Sequence, residues 1–170
     1  MLRLGVAVEV PEPWASRVQG YRCALGDDAA GVPTHITLVP PTDLDDRPGV
    51  VESVVATLTE AATGCPPFSV RLRGSDSFRP VSPVAYVVVA DGAGCLGRLA
   101  SSSRTGPLDS PAAFPFHPHV TLAHGVAEAD LDRAVADHAD VDLRFTVEAM
   151  TLYRHDGAAW EPWRRFPLTG

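Results

Sequence analysis

A chain of 170 residues, 45% of them hydrophobic, is large enough to bury a proper core and most simply forms one domain, 1–170. Its formal net charge of −7 argues against a tight, non-specific grip on long nucleic acid, which needs a basic surface, but not against one small anion held in a locally positive pocket. All fourteen basic residues are Arg; with Lys and Asn absent and Ile36 the single Ile, this is the mark of a coding bias and carries no functional message.

Leu2 to Val10 alternates towards Val6, Val8 and Val10 and predicts a strand. Pro11 ends it, and Pro13 opens a helix reaching about Leu25. Residues 26–31 form a polar loop that leads into His35-Ile36-Thr37-Leu38, a β-branched strand that Pro40-Pro41 should stop. Val50 to Ala62 carries Val51, Val54, Val55 and Leu58 at helical spacing. Phe68 to Arg73 alternates as a half-exposed strand, and Gly74 to Pro83 reads as a loop holding Phe78 and Arg79. Val84 to Ala90 predicts a central strand, and Gly94 to Ser103 a weakly patterned helix. A Pro- and Gly-rich loop, 104–118, then delivers the chain to His119-Val120-Thr121-Leu122. A helix over Glu128 to Ala139, a strand over Leu143 to Tyr153 and a strand over Trp160 to Leu168 complete the chain. Those last two should close as a hairpin around Asp156-Gly157.

The order strand, helix, strand, helix, strand thus occurs twice, and the two His-x-Thr-Leu tetrads are 84 positions apart, about half of the chain. This is the pattern of an internal duplication. It predicts an α+β fold of two β-α-β-α-β units, in halves of approximately 1–80 and 81–170. They should form two pseudo-twofold lobes with mainly antiparallel sheets, outer helices and an active groove between them. Alternation along a strand puts His35 with Thr37, and His119 with Thr121, on one face, while Ile36, Leu38, Val120 and Leu122 anchor the other. One tetrad alone would be an ordinary strand; the repetition makes a site.

The twin tetrads, their spacing, and the flanks Pro33-Thr34-His35 and Phe116-His117-Pro118-His119 resemble the two-histidine (2H) phosphoesterases, in the branch of the 2′-5′ RNA ligases and cyclic phosphodiesterases. The resemblance covers nearly the whole chain. It implies metal-independent attack on a 2′,3′-cyclic phosphate of an RNA end or a small nucleotide, with 2′-5′ ligation as the reverse reaction. The residue types suit that chemistry independently. Opening a cyclic phosphodiester needs a base for water and an acid for the departing ribose oxygen, and histidine serves both near neutral pH. His119 is assigned as base and His35 as acid, in a near-symmetric site that permits exchange of roles. Thr37 and Thr121 are the hydroxyl donors for phosphate oxygens.

Around these four, the candidate pocket residues are His117, His124, Phe78 and Tyr86. His124 stands where many relatives of this kind carry Arg, which weakens the expected anion binding there or makes it pH-dependent. Phe78 and Tyr86 read either as stacking partners for a base or as core aromatics. Many such relatives also have an aromatic on the first strand where this chain has Gly5, so base recognition is looser or moved elsewhere. Arg71, Arg73, Arg79 and Arg104 form either a basic rim or a solvated strand face; Arg164-Arg165, His138 and His155 read as solvated. His117, His119 and His124 could be arranged around a metal, but the first tetrad has no matching cluster, so no metal and no cofactor is expected.

Cys23, Cys65 and Cys95 are odd in number and widely spaced, which fits reduced core thiols of a cytosolic protein. Met1 to Val10 is interrupted too early by Glu9 and Pro11 for a signal peptide, and no apolar run approaches the length of a membrane span. A cytoplasmic monomer is expected, acting on a small cyclic nucleotide or an RNA terminus without membrane partners. The rival readings are a non-catalytic nucleotide-binding module and a hydrolase of another cyclic phosphate, such as that of ADP-ribose.

Overall fold

The eleven segments that the residue pattern marks out become eight strands and four α-helices, one expected strand being two, in a computed structural model that describes residues 1–27, 29, 31–111 and 113–170. In chain order they are β1 (Leu2–Glu9), α1 (Trp14–Ala24), β2 (His35–Leu44), α2 (Val50–Thr63), β3 (Phe68–Ser77), β4 (Val84–Asp91), α3 (Ala93–Ser103), β5 (His119–His124), α4 (Glu128–Asp137), β6 (Asp142–Val147), β7 (Ala149–His155) and β8 (Trp160–Pro167). Positions 28 and 30 of the expected polar loop, and 112 of the Pro-rich one, lie outside the described residues.

The strands make one sheet in the order β6-β3-β4-β5-β2-β1-β7-β8, and every recorded pairing is antiparallel. The fold is α+β, as expected. Four strands stand on each side of the β5–β2 seam, and each group draws strands from both halves of the sequence. The seam itself is narrow: Ile36 opposite Val120 is the pair recorded between β2 and β5. Both tetrads therefore meet at the middle of the sheet, where the two groups of strands join.

Three expected boundaries change. Pro40-Pro41 does not end β2, which continues to Leu44 against Leu2. Between the pairs Leu4↔Thr42 and Val6↔Val39 the register shifts, so three steps of β2 face two of β1. The prolines sit in that bulge, where a missing N–H interrupts no regular ladder bond. Likewise β3 does not stop at Arg73: it runs on to Ser77 through a shift between Leu72 and Ser75. Gly74 supplies the φ of +70° needed there, a conformation that side chains resist. The strand expected over Leu143 to Tyr153 is two strands broken at Glu148. β6 pairs with β3 and β7 with β1, at distant positions in the strand order. Consecutive Cα atoms are only about 3.8 Å apart, so a one-residue link between them requires the sheet to curl until its ends approach.

On one face of the seam Ile36, Leu38, Val120 and Leu122 are fully buried, in a core shared with Val54 and Leu58 of α2 and Leu96 and Leu99 of α3. Burying each such side chain is worth about 1.5–3 kcal/mol. That anchorage commits the alternate residues, the histidines and threonines, to the other face.

Candidate active site

The pairing of Ile36 with Val120 decides the geometry. In an antiparallel pair the neighbours on either side follow, so His35 lies across from Thr121 and Thr37 across from His119. Directly opposed residues share a face, and the diagonal pair His35–His119 is then about 7–8 Å apart at Cα, with His35 in the wall of the groove on that face and His119 outside its lining. The tetrads are crossed: each histidine is across the seam from the other tetrad's threonine. His35 Nε2 also lies 3.0 Å from Thr37 Oγ1.

Both rings are oriented by the same local device. His35 Nδ1 donates to the Pro33 carbonyl, and His119 Nδ1 donates to the His117 carbonyl at 2.8 Å. A carbonyl only accepts, so the neutral form of each ring carries its proton on Nδ1 and presents Nε2 as the basic nitrogen. Burial holds both imidazoles below the ordinary 6.5. The Arg22 charge lowers His35 further, and the charges of His117 and His35 lower His119, while the two carbonyl bonds pull the other way.

A groove of about 590 Å³ opens on this face, with His35, Thr37, Thr121 and His124 in its wall. Arg22, on α1, also lines it although the residue is only 3% exposed. Its Nε bonds Asp27 Oδ2 at 2.9 Å. The same carboxylate accepts the His124 backbone N–H at 3.1 Å and the Ala29 N–H at 2.8 Å. Asp27 thus ties the end of α1 to the end of β5 and holds a guanidinium at the edge of the groove. At its far end the groove is walled by Gly5, Tyr153 and Trp160. Tyr153 and Thr151 donate their hydroxyls to Glu9 Oε1, at 3.0 and 3.1 Å, and Glu9 is opposite His35 in the β1–β2 register.

A family model described as the 2′-5′ RNA ligase superfamily matches residues 10–159. The chain belongs to that superfamily. It is 26% identical over 174 residues to a Bacillus pumilus protein named "Putative phosphoesterase", the match covering 98% of each chain. It superposes on Escherichia coli LigT complexed with 3′-AMP at a TM-score of 0.68, with 21% identity and 99% of both chains covered. TT0787 of Thermus thermophilus gives 0.66, with 26% identity over 99% of this chain and 98% of that one. The resemblance read from the tetrads is therefore correct at the level of the superfamily and its fold.

As this superfamily member folds, the remaining candidates separate. His124 lines the groove. Phe78 and Tyr86 instead stack on each other, centroids 4.1 Å apart and planes 22° from parallel, and turn their edges or faces to His117 and His119 at 4.9–5.5 Å. They form a bed for the His119 ring. His117 is exposed and serves His119 through its carbonyl. Among the described residues no group of three or more His, Cys, Asp or Glu side chains is placed to hold a metal ion, and no helix is long and apolar enough to cross a membrane.

The arginines proposed as a rim are mostly engaged. Arg79 bonds Glu128 and Asp132, Arg71 bonds Asp142 through two nitrogens, and Arg104 donates to the Leu38 carbonyl while lying over Phe116. Arg73, Arg164 and Arg165 are exposed. The cysteines are free but are not core thiols: Cys23 is exposed and Cys65 and Cys95 are half-buried. His138 and His155 are not simply solvated. His138 donates to the Ala134 carbonyl beside Tyr21, and His155 accepts from Gly157 N–H against Trp160. Sequence reasoning missed Arg22, Asp27, Glu9 and Trp160. Each is an ordinary helix, loop or strand residue in its local pattern; packing brings Arg22 and Trp160 into the groove wall and sets Asp27 and Glu9 behind it, bonded to Arg22 and Tyr153.

Proposed function

We propose that this chain hydrolyses 2′,3′-cyclic phosphates of small nucleotides or RNA ends by two-histidine acid–base catalysis without a metal. The observation that carries this reading is the crossed pairing of the tetrads, with both Nδ1 atoms held by backbone carbonyls so that two Nε2 atoms serve one face. In the forward reaction water attacks phosphorus and the bond from phosphorus to one ribose oxygen breaks. His119 Nε2 takes the proton from water, and protonated His35 gives its Nε2 proton to the departing oxygen. The product is a phosphomonoester. Thr37 and Thr121 donate to the non-bridging oxygens, where charge builds in the transition state, and Arg22 supplies a fixed positive charge nearby. LigT, which shares the fold, has been crystallised with 3′-AMP, which is consistent with a nucleotide in this groove. The single 170-residue domain acts as a monomer, and its free cysteines, one of them exposed, fit a reducing cytoplasm.

The test is turnover of 2′,3′-cyclic nucleotides in EDTA by wild type, His35→Ala and His119→Ala. Wild-type activity that survives chelation and falls at least about a hundredfold in each variant is the expected result. Activity abolished by EDTA contradicts the metal-free route, and tight nucleotide binding without turnover contradicts catalysis.

A further inference from the structure

Gly5 and Trp160 meet across the sheet. Trp160 opens β8 opposite His155, yet its ring reaches over β7 to β1. A Cβ placed on Gly5 would be 3.6 Å from Trp160 Cζ3 and 3.7 Å from Cη2. The missing side chain lets the indole lie against bare backbone, and both residues wall the groove that contains His35 and Thr37. Along β1, Ala7 is opposite Thr37, and Gly5 is two residues further on, about 7 Å at the rise of a strand. A nucleotide whose phosphate sits at the tetrads would lay its ribose along this stretch of the groove, with its base towards Trp160.

The other aromatics near the site are already committed: Tyr153, in the same wall, is buried and gives its hydroxyl to Glu9. Phe78 and Tyr86 spend one face each on their mutual stack and are turned towards His117 and His119. Trp160 is only partly buried, with His155 against it edge-on at 5.2 Å. Its ring borders open groove, and an aromatic ring there offers any base a stacking surface.

We infer that Trp160, seated over Gly5, is the base-recognition residue of this groove, so that the substrate class is a nucleoside phosphate and not a base-free cyclic phosphate. This rests on the proposed reading of the tetrads as the phosphate site, but binding tests it separately from turnover. Adenosine 3′-monophosphate and base-free ribose 3-phosphate are titrated calorimetrically into wild type, Trp160→Ala and Trp160→Phe, with tryptophan emission followed in parallel. The expected result is nucleotide binding weakened about tenfold or more in Trp160→Ala, restored in Trp160→Phe, and unchanged affinity for the ribose phosphate in all three. Nucleotide-induced quenching of emission should be present in wild type and lost in Trp160→Phe. Gly5→Leu, which pushes the indole off the strand, should mimic Trp160→Ala. Equal affinity of wild type and Trp160→Ala for the nucleotide overturns the assignment, as does an equal loss for both ligands, which marks a structural role. If the Trp160-dependent preference holds but no cyclic phosphate is hydrolysed, the catalytic reading fails and this one stands.

Discussion

The Arg22 guanidinium and the Asp27 carboxylate face each other at 2.9 Å with almost no solvent access. Ions so buried are tolerated only as a pair, and removing one partner costs about 3–5 kcal/mol because the other charge is stranded. The pair is built into the entrance of the groove, next to the strand end where His124 stands. It sets a guanidinium in the groove wall, paired by Asp27, and the same carboxylate holds the backbone N–H of His124, the sixth residue of β5.

Asp27→Asn and Arg22→Ala should therefore both lower the urea midpoint by the equivalent of about 3 kcal/mol or more. Arg22→Lys keeps the charge but loses the fork, and should fold more stably than Arg22→Ala while binding phosphate more weakly than wild type. Equal phosphate affinity of Arg22→Lys and wild type would show that the guanidinium stands clear of the anion.

The pH profile of kcat/KM follows from the two imidazoles. Catalysis needs one neutral and one protonated ring, and both are held below 6.5 in the free protein. The bell should peak below pH 6.5, with rates falling about tenfold per pH unit well above it as the acid loses its proton. Because the Arg22 charge lowers His35, replacing it should move a limb of the bell upward. A maximum at about pH 7.5 or above in steady-state assays would contradict this.

Stability should show the same groups with a definite sign. His35 and His119 hold protons less readily folded than unfolded, so unfolding takes up protons between the folded values and 6.5. Their contribution is complete above pH 6.5 and is lost as pH falls through the folded values. Urea midpoints at about pH 7.5 and about pH 5 should differ more in wild type than in His35→Gln/His119→Gln.

Thr37→Val and Thr121→Val remove one hydroxyl donor each and preserve strand shape. Loss of a transition-state donor costs about a hundredfold in kcat, and two equivalent donors should lose comparable amounts. Single-turnover rates at saturating cyclic nucleotide measure this directly.

Tyr86→Leu takes away the aromatic bed of His119 without touching the groove. Stacked and edge-on aromatic contacts contribute about 0.5–1.5 kcal/mol beyond area burial, so stability should fall modestly. Because His119 loses its packed orientation, kcat should drop about tenfold with little change in KM. A change confined to KM would instead place Tyr86 against the substrate.

Local pattern carried the elements well wherever one face is buried. Val6 and Val8 of β1, Val54 and Leu58 of α2, and Leu131 and Ala134 of α4 are all in the core, at the periods that alternation and helical spacing require. It failed where a rule about one residue met a sheet that could absorb it. Pro40-Pro41 and Gly74 read as terminators, yet bulges gave them positions in which neither a missing N–H nor a positive φ breaks the ladder. Leu143 to Tyr153 read as one strand because both of its parts are apolar and alternating. Which neighbour each part joins depends on β3 and β1, which lie far back in the chain.

By itself the sequence determined that two His-x-Thr-Leu strands exist, that histidine and threonine share a face in each, and that the whole belongs to an α+β chain with repeated order. Those follow from side-chain alternation and hydrophobic period, which are local. The tertiary structure alone decided that the tetrads cross at Ile36–Val120, that Asp27 takes the backbone N–H of His124 and that Trp160 reaches Gly5. Such contacts are made between segments separated by many residues, and only the closing of the sheet around its core selects them.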